Sequence, residues 1–591
     1  MSYGVSIITL TKLTSSIYLK VLLEIIKTQS YKNIIEWLII ESSIKKEETE
    51  NNEKIIDELI HSEKKLKIKY IPYQENKNNN QLRNHANNIA NGEIIVNLEE
   101  NDYYFKNCVE TRVGRLIKGY NIICSNNYYI YDLYLNKTFI SKNNPSSSGL
   151  TYFKSYIITH CLDDNEDINE NIKNVSNIDY LPLELSQVQI IHKFNLFFKR
   201  YNSIMTLMGK SNNWINLMDE VIEEFILDKH LKIYKKLINN DYLDFDIVYY
   251  TGLSGIIWDP ENLKLGGSEQ AVVHLSKNWV KNNKKVVVYG NFPNNKNIDG
   301  VEYVHYVNFP FEKKIKNLII WRSSGIMSLM NINFNADNIL LDLHDNFSYT
   351  LAKLNKNNLL PFLKKVSKYM FKSNYHLECF EEFINEKLPN DKYDIILNGV
   401  RINEFYSNNY ENRNPYRFCY CSSYDRGLET ILEKLWPIII NKEPRAELHI
   451  YYGMDYLYDV KFKNKLKNLM NQPGVYEYGR QPIDIITKEK QTSTYHLYLT
   501  NVDAEIDCIS IKESIIAGCI PIISNFGVFK ERNGIKYDWN PNDDLSCKNI
   551  ANDLLIKIND QNYINCIRNE LINIKYLNWN ETSKAWLNNF I

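Results

Sequence analysis

The sequence has no run of eighteen apolar residues, no C-x-x-C pair and no basic block or tail. The first absence argues against a membrane-spanning helix, so a soluble protein is expected. The ten cysteines are scattered without zinc spacing, which fits reduced thiols of a cytosol-like compartment and a cytoplasmic location. A net charge of -1 without a basic patch argues against a nucleic-acid footprint. The opening MSYGVSIITLTK has no charged segment followed by a long apolar stretch, so it reads as a first β-strand and not as a signal peptide. A G-x-G-x-x-G strand-turn-helix is also missing, which disfavours a nicotinamide dehydrogenase.

What is present is a long chain with ample core material. At 591 residues, with 44% apolar and 13% aromatic residues, three or four packed domains are expected. Tyrosine is unusually common at 43 residues. The first 200 residues alternate strand candidates (5–10, 36–41, 66–73, 93–98) with helix candidates at 15–30 and 82–91. That βαβα order predicts a mostly parallel sheet covered on both faces. Residues 206–243 carry apolar positions at helical spacing and read as a helical connector. A second α/β set follows, with strands expected at 246–252, 285–290, 317–323, 338–345 and 393–400. A third has strands at 416–423, 446–453, 495–500 and 519–524 and a helix from GLETILEKLWPIII. Two adjoining α/β domains suit a ligand lying across strand C-terminal ends.

The most informative motif is an E-x7-E pair, Glu505 and Glu513, in AEIDCISIKESIIAGCIP. ISIKESIIAG reads as a short helix with Gly518 as its stop, and CIPIIS as a buried strand. Glu505 then falls in the loop before the helix and Glu513 in its body. Two carboxylates so placed are able to accept hydroxyls of a sugar and of a ribose together. A bare pair at this spacing is more often only solvated. The flanks carry more: LYLTNVDAEIDCISIKESIIAGCIPIISNFG resembles the nucleotide-sugar segment of retaining GT-B glycosyltransferases related to glycogen synthase and sucrose synthase.

Further segments resemble landmarks of that family. LGGSEQAVVHLSKNWVKNNKKVVVYG resembles its glycine-rich loop and first helix, with Gly266 and Gly267 at the helix start. DLHD, with His344, resembles its His-bearing strand end, and ILNGVRINEF its interlobe linker. CSSYDRGLETILEKLW resembles the opening of the donor lobe, with Arg426 where a basic residue meets the diphosphate. The family presents two such residues, and the second is open here between Arg480 and Lys434. The resemblance implies that Glu513 holds the ribose and Glu505 the sugar, that configuration is retained, and that no metal is required. It covers roughly residues 246 to 585.

In the N-terminal part, VSIITLTK, EWLIIESS and LRNHANNIANGEIIVNLEENDYY resemble landmarks of GT-A transferases of the inverting, polysaccharide-synthase-like family. The resemblance implies that Glu41 stands where an Asp reads the base and that Arg83 lies near the diphosphate. It also implies a Mg²⁺ or Mn²⁺ site at Glu100 and Asp102 with His192. Asp167, after Glu166, would be the acceptor base. The cluster Glu99, Glu100, Asn101, Asp102 replaces the usual Asp residues, and longer or neutral side chains weaken a small octahedral site. Altered metal use and a retained, non-catalytic fold both stay open.

The expectation is therefore an α/β chain with four parts. These are a GT-A Rossmann-like domain (1–205), the helical connector (206–243), and a GT-B pair of Rossmann-like lobes (244–408 and 409–591). Its function would be transfer of a sugar from a nucleotide sugar to a glycan or glycoprotein acceptor. The alternative is a glycan- or nucleotide-binding scaffold of two transferase folds. The tandem arrangement and composition resemble glycan-assembly enzymes of large amoeba-infecting viruses.

Overall fold

The computed structural model describes residues 2–11, 16–42, 56–61, 63, 65–73, 77–133, 135, 137–163, 171–172, 175–191, 214–217, 226, 228–236, 241–252, 257–262, 264–311, 313–330, 332, 334–346, 356–408, 413–455, 457 and 459–591. They fall into two compact units. One comprises Met1–Asp241, Pro310–Lys313 and Ile332–Phe334; the other comprises Tyr242–Phe309, Lys314–Asn331 and Asn335–Ile591.

The first unit is α/β. Its larger sheet has seven strands in the order Ile178–Leu181, Ile122–Ser125, Ser146–Phe153, Ile94–Asn97, Val5–Thr11, Ile34–Ser42, Lys67–Tyr73. The last four of these run parallel, as the β–α alternation predicts. Ser146–Phe153 departs from the pattern and pairs antiparallel with both neighbours. The register sets Thr11 opposite Glu41 and Ile8 opposite Asn97. The residues just after Asn97 therefore emerge at the same strand ends as Thr11 and Glu41. Nearby, the Asn79–Ile89 helix starts with a capping box between Asn78 and Gln81, which satisfies two of its orphan backbone donors.

A second sheet of five strands runs Trp214–Leu217, Lys137–Ser141, Tyr128–Asp132, Gln187–Ile191, Asp102–Tyr104. Here the connector expectation needs correction. Trp214–Leu217 is not helical but pairs antiparallel with Lys137–Ser141; among the described connector residues only Asp228–Lys236 is helix. A free strand edge offers backbone hydrogen bonds that a four-residue stretch accepts in either state, so pairing overrides the helical spacing.

The second unit holds two sheets. One has eight strands: Lys296–Ile298, Val301–His305, Val286–Gly290, Ile247–Gly252, Lys314–Trp321, Asn335–Asp342, Lys368–Phe371, Tyr393–Ile395. It is parallel except for the Lys296–Ile298 edge. The other is parallel throughout and has six: Val475–Glu477, Glu447–Ile450, Asn414–Tyr420, Ser493–Tyr498, Ile520–Ser524, Ile535–Tyr537. In both, the strand order reverses beside the first strand, as in doubly wound folds, where ligands sit beyond the carboxyl ends at the reversal.

Two local differences stand out. The helix expected from GLETILEKLWPIII is interrupted by a π stretch over Ile431–Leu435. Pro437 has no N–H to offer the preceding turn, and the ladder re-registers there. The last residues, grouped above with the second lobe, return to the eight-stranded sheet. The Trp579–Leu587 helix packs on Gly267–Lys281, where the rings of Trp279 and Trp586 meet edge to face at 5.8 Å. Trp279 Nε1 donates to the Ser583 carbonyl at 3.1 Å.

Candidate functional site

The second unit encloses a cleft of about 480 Å³ beyond the strand ends of its two sheets. Gly266, Gly267, His344, Arg426, Arg480, Glu505 and Glu513 all line it. They come from five separate stretches of sequence, and the fold brings them together. Lys434 is elsewhere: it pairs with Asp544 at 2.9 Å on the surface and does not line the cleft. Of the two candidates for a second cation, only Arg480 therefore stays in place.

Gly266 caps the long helix Gly267–Lys281 without any side-chain hydrogen bond, so the first backbone N–H groups meet the cleft uncovered by a cap. Neither glycine has a positive φ; a Cβ on Gly266 would instead meet the Glu269 carboxylate at 2.6 Å. His344 follows the strand Asn335–Asp342. Its Nε2 lies 3.1 Å from Asp342, whose other oxygen takes Lys372 Nζ at 2.6 Å. Tyr249 also donates to Asp342. Burial alone would raise the Asp342 carboxyl, but His344 and Lys372 outweigh it and hold it well below the usual range.

Opposite them stand the two glutamates. The helix Ile509–Ile516 carries Glu513. Its carboxylate is almost wholly buried and is gripped by Arg401 Nη2 at 2.8 Å and Lys490 Nζ at 3.3 Å. Burial pushes this carboxyl up, yet Lys490 and Arg401 bring it below its ordinary value. Glu505 precedes the helix and accepts from Arg426 and, at 2.8 Å, from the Tyr498 hydroxyl. The attraction of Glu505 holds the Arg426 guanidinium well above its ordinary value despite burial.

Between the glutamates, Asp507 is buried and accepts from Lys512 and Arg532, each at 2.8 Å, and from the Asn398 backbone at 3.0 Å. Cys508 beside it has φ +56, a left-handed conformation that costs a non-glycine residue and persists only where its surroundings hold it. Asp507 thus fixes the turn that points Glu505 and Glu513 into one space.

Arg480 Nε donates to the Lys264 carbonyl at 2.8 Å, and its guanidinium lies 4.5 Å over the Tyr452 ring. Arg426 is followed by Gly427 at φ +99, where a Cβ would stand 2.6 Å from the Leu499 carbonyl oxygen. Only glycine fits, and the tight approach sets Arg426 at the cleft wall.

In the first unit, Glu41 lies near the end of a parallel strand and Glu100 just past the end of another, while Arg83 lies on the Asn79–Ile89 helix and Asp102 on a strand of the five-stranded sheet. Glu41 is buried and accepts from Tyr70. Arg83 pairs with Glu99 at 2.8 Å. Glu100 accepts from Thr11 at 2.6 Å, and burial, with Glu99 and Glu41 nearby, pushes its carboxyl up to about 7. Asp102 opens the strand Asp102–Tyr104, buried opposite Gln189. Glu166, Asp167 and His192 lie outside the described residues.

Residues 6–168 match Glycosyl transferase family 2. This segment is a glycosyltransferase domain, and its matched span holds Glu41, Arg83, Glu100 and Asp102. No curated protein matches the chain in sequence. Among solved structures, a sucrose-phosphate synthase from Thermosynechococcus elongatus is similar at 13% identity and a TM-score of 0.44, over 59% of this chain and 98% of that one. Anabaena HepE in complex with UDP and glucose is similar at 15% identity and a TM-score of 0.43, over 58% and 98%. WaaG, a glycosyltransferase involved in lipopolysaccharide biosynthesis, is similar at 11% identity and a TM-score of 0.41, over 57% and 98%.

The described residues hold only part of the divalent-cation set expected in the family 2 domain, because His192 lies outside them. No three His, Cys, Asp or Glu side chains among them gather as a cage, and Glu99 and Glu100 are turned to Arg83 and Thr11. No helix among the described residues is long and apolar enough to cross a membrane.

Several cleft residues carried no sequence signal of their own. Lys490 sits in ITKEKQT, which reads as a solvated helix face, yet only 1% of its side chain is exposed. Arg401 lies one residue past the N-G-V linker, where proximity to Glu513 is not visible in sequence. Arg322, at φ +54, pairs through two nitrogens with Asp345 and lines the cleft. The phrase WRSSG gives no hint of that strain.

Proposed function

We propose that the second unit binds a nucleotide sugar in the 480 Å³ cleft and transfers its sugar with retention to a glycan or glycoprotein acceptor. The observation that carries this is the convergence of Arg426, Arg480, His344, Glu505 and Glu513 on one cavity. The diphosphate would lie against Arg426, where negative charge grows as the leaving group departs, and fixed cations there stabilise it. Glu513, held ionised by two cations, is suited to accept ribose hydroxyls, and Glu505 those of the sugar. Uridine nucleotides are the first donors to try, because HepE is a complex with UDP and glucose.

The family 2 domain would be a second transferase site or a retained fold that only binds. The test is donor consumption by the full chain against a panel of nucleotide sugars, followed by mass spectrometry, with Arg426→Ala and Asp102→Ala made separately. Turnover that vanishes with Arg426→Ala and survives Asp102→Ala places the chemistry in the second unit. Turnover lost only with Asp102→Ala overturns the proposal. No turnover by the wild type with any donor favours the binding scaffold.

A further inference from the structure

Transfer changes the charge that the cleft has to hold. As the bond from the anomeric carbon to the distal phosphate oxygen breaks, its electron pair stays on that oxygen, and the carbon joins the acceptor oxygen, whose proton is released. A nucleotide sugar carries two negative charges on its diphosphate, whereas the freed nucleoside diphosphate gains most of a third, since a terminal phosphate loses its last proton near about pH 6. Substrate and product therefore differ, at the phosphate end, by about one charge at neutral pH.

The cation expected to meet that end already has a carboxylate on it. Arg426 Nη1 donates to Glu505 Oε1, and Tyr498 holds the same oxygen at 2.8 Å. Both residues line the cleft, and Ser422 donates to the Tyr498 hydroxyl at 2.9 Å, so the carboxylate is fixed in place and not swinging on a surface. A diphosphate reaching Arg426 thus comes within a few ångströms of a fixed negative charge. Repulsion at that range acts on every anion there, and it acts most strongly on the anion with the extra charge.

We propose that Glu505 is a selectivity residue that disfavours the nucleoside diphosphate product relative to the nucleotide-sugar donor, and so helps to empty the cleft after each transfer. This rests on the reading that Arg426 meets the donor diphosphate. It adds to Glu505 a task separate from holding the sugar: its charge weakens binding of one nucleotide more than the other. The usual expectation for a site residue is reversed, because removing Glu505 strengthens a ligand.

The experiment is calorimetry on the full chain with UDP and UDP-glucose, and in parallel with the adenosine and guanosine pairs. Glu505→Gln keeps the shape and removes the charge. It is expected to tighten the free diphosphate about tenfold, and to leave the sugar nucleotide within about threefold of its wild-type affinity, because the relieved repulsion is offset by a weaker acceptor for the sugar. Product inhibition should strengthen in step. Tyr498→Phe, which keeps the charge and removes only the hydrogen bond, should leave the ratio of the two affinities at its wild-type value. Should Glu505→Gln not fold, Glu505→Ala carries the same test. Equal changes for both nucleotides, or weaker diphosphate binding, overturn the inference alone, provided Arg426→Ala still weakens both ligands. If Arg426→Ala leaves both affinities unchanged, or if the wild type binds none of the six nucleotides, the proposed function fails and the inference with it.

Discussion

Lys490→Met removes the less visible of the two cations on Glu513. The lysine donates to the Ser510 carbonyl at 2.8 Å, the Ser510 hydroxyl at 2.9 Å and Glu513 at 3.3 Å. Only 1% of its side chain is exposed, and 6% of that of Glu513, so water cannot replace the lost charge. Breaking a buried pair from one side costs about 3–5 kcal/mol. Arg401 still holds the other oxygen of Glu513, which puts the expectation at the lower end, about 3 kcal/mol. The assay is urea denaturation of the full chain at pH 7.5, following the transition of the second unit. The sign of the pH dependence is fixed by the depressed Glu513 carboxyl. Such a group stabilises above its unfolded value, about 4.3, and that contribution is lost as pH falls through its folded value. In the variant Glu513 titrates higher, so the penalty is full at neutral pH and shrinks toward the carboxylate range. A Glu513→Gln change in the same chain should recover much of the loss, since the neutral amide needs no counter-charge. A cost under about 1 kcal/mol, or a double variant that merely adds the two single losses, would refute a buried ion pair at this position.

Three further outcomes are expected. Glu100, with its carboxyl raised to about 7 by burial, binds its proton more tightly folded than unfolded, so it destabilises the first unit as pH rises from about 4.5 to 7; Glu100→Gln should therefore gain on the order of 3 kcal/mol at pH 8 and almost nothing at pH 4, read by thermal melts. Gly427→Ala forces a Cβ onto the Leu499 carbonyl at 2.6 Å and a φ of +99 on an L-residue, costing about 2 kcal/mol in denaturation and weakening nucleotide binding by displacing Arg426. Asp342→Asn strips the counter-charge from buried Lys372 and should cost about 3 kcal/mol, whereas Asp342→Asn with Lys372→Met should cost less than the single change; equal costs would argue against the pair.

Sequence carried what is local. The strand at 519–524, the helix before it and its Gly518 stop sit within twenty residues of both glutamates, so turn chemistry and periodicity were enough to place them. Arg426 was singled out because CSSYDRGLETILEKLW resembles a donor-lobe opening, a stretch that is likewise local. Lys490 and Arg401 were not, since charge on a helix face or after a linker looks solvated until another element covers it. Trp214–Leu217 was misread for the same reason: a sheet edge supplied by Lys137–Ser141 decides its state, and spacing within the segment does not contain that edge. The return of Trp586 to Trp279 likewise lies in contacts between distant segments and leaves no local pattern.

That return has a consequence for how the chain is made. The hydrogen bond from Trp279 to Ser583 joins residues 304 positions apart, with the whole six-stranded sheet synthesised in between. At ribosomal rates of about 5–20 residues per second, the apolar face of Gly267–Lys281 waits on the order of tens of seconds for its partner. During that interval Trp279 has no Trp586 or Phe590 against it. The second lobe is thus an insertion in the sequence of the first, whose core includes Trp579 and Trp586 from the far side of it.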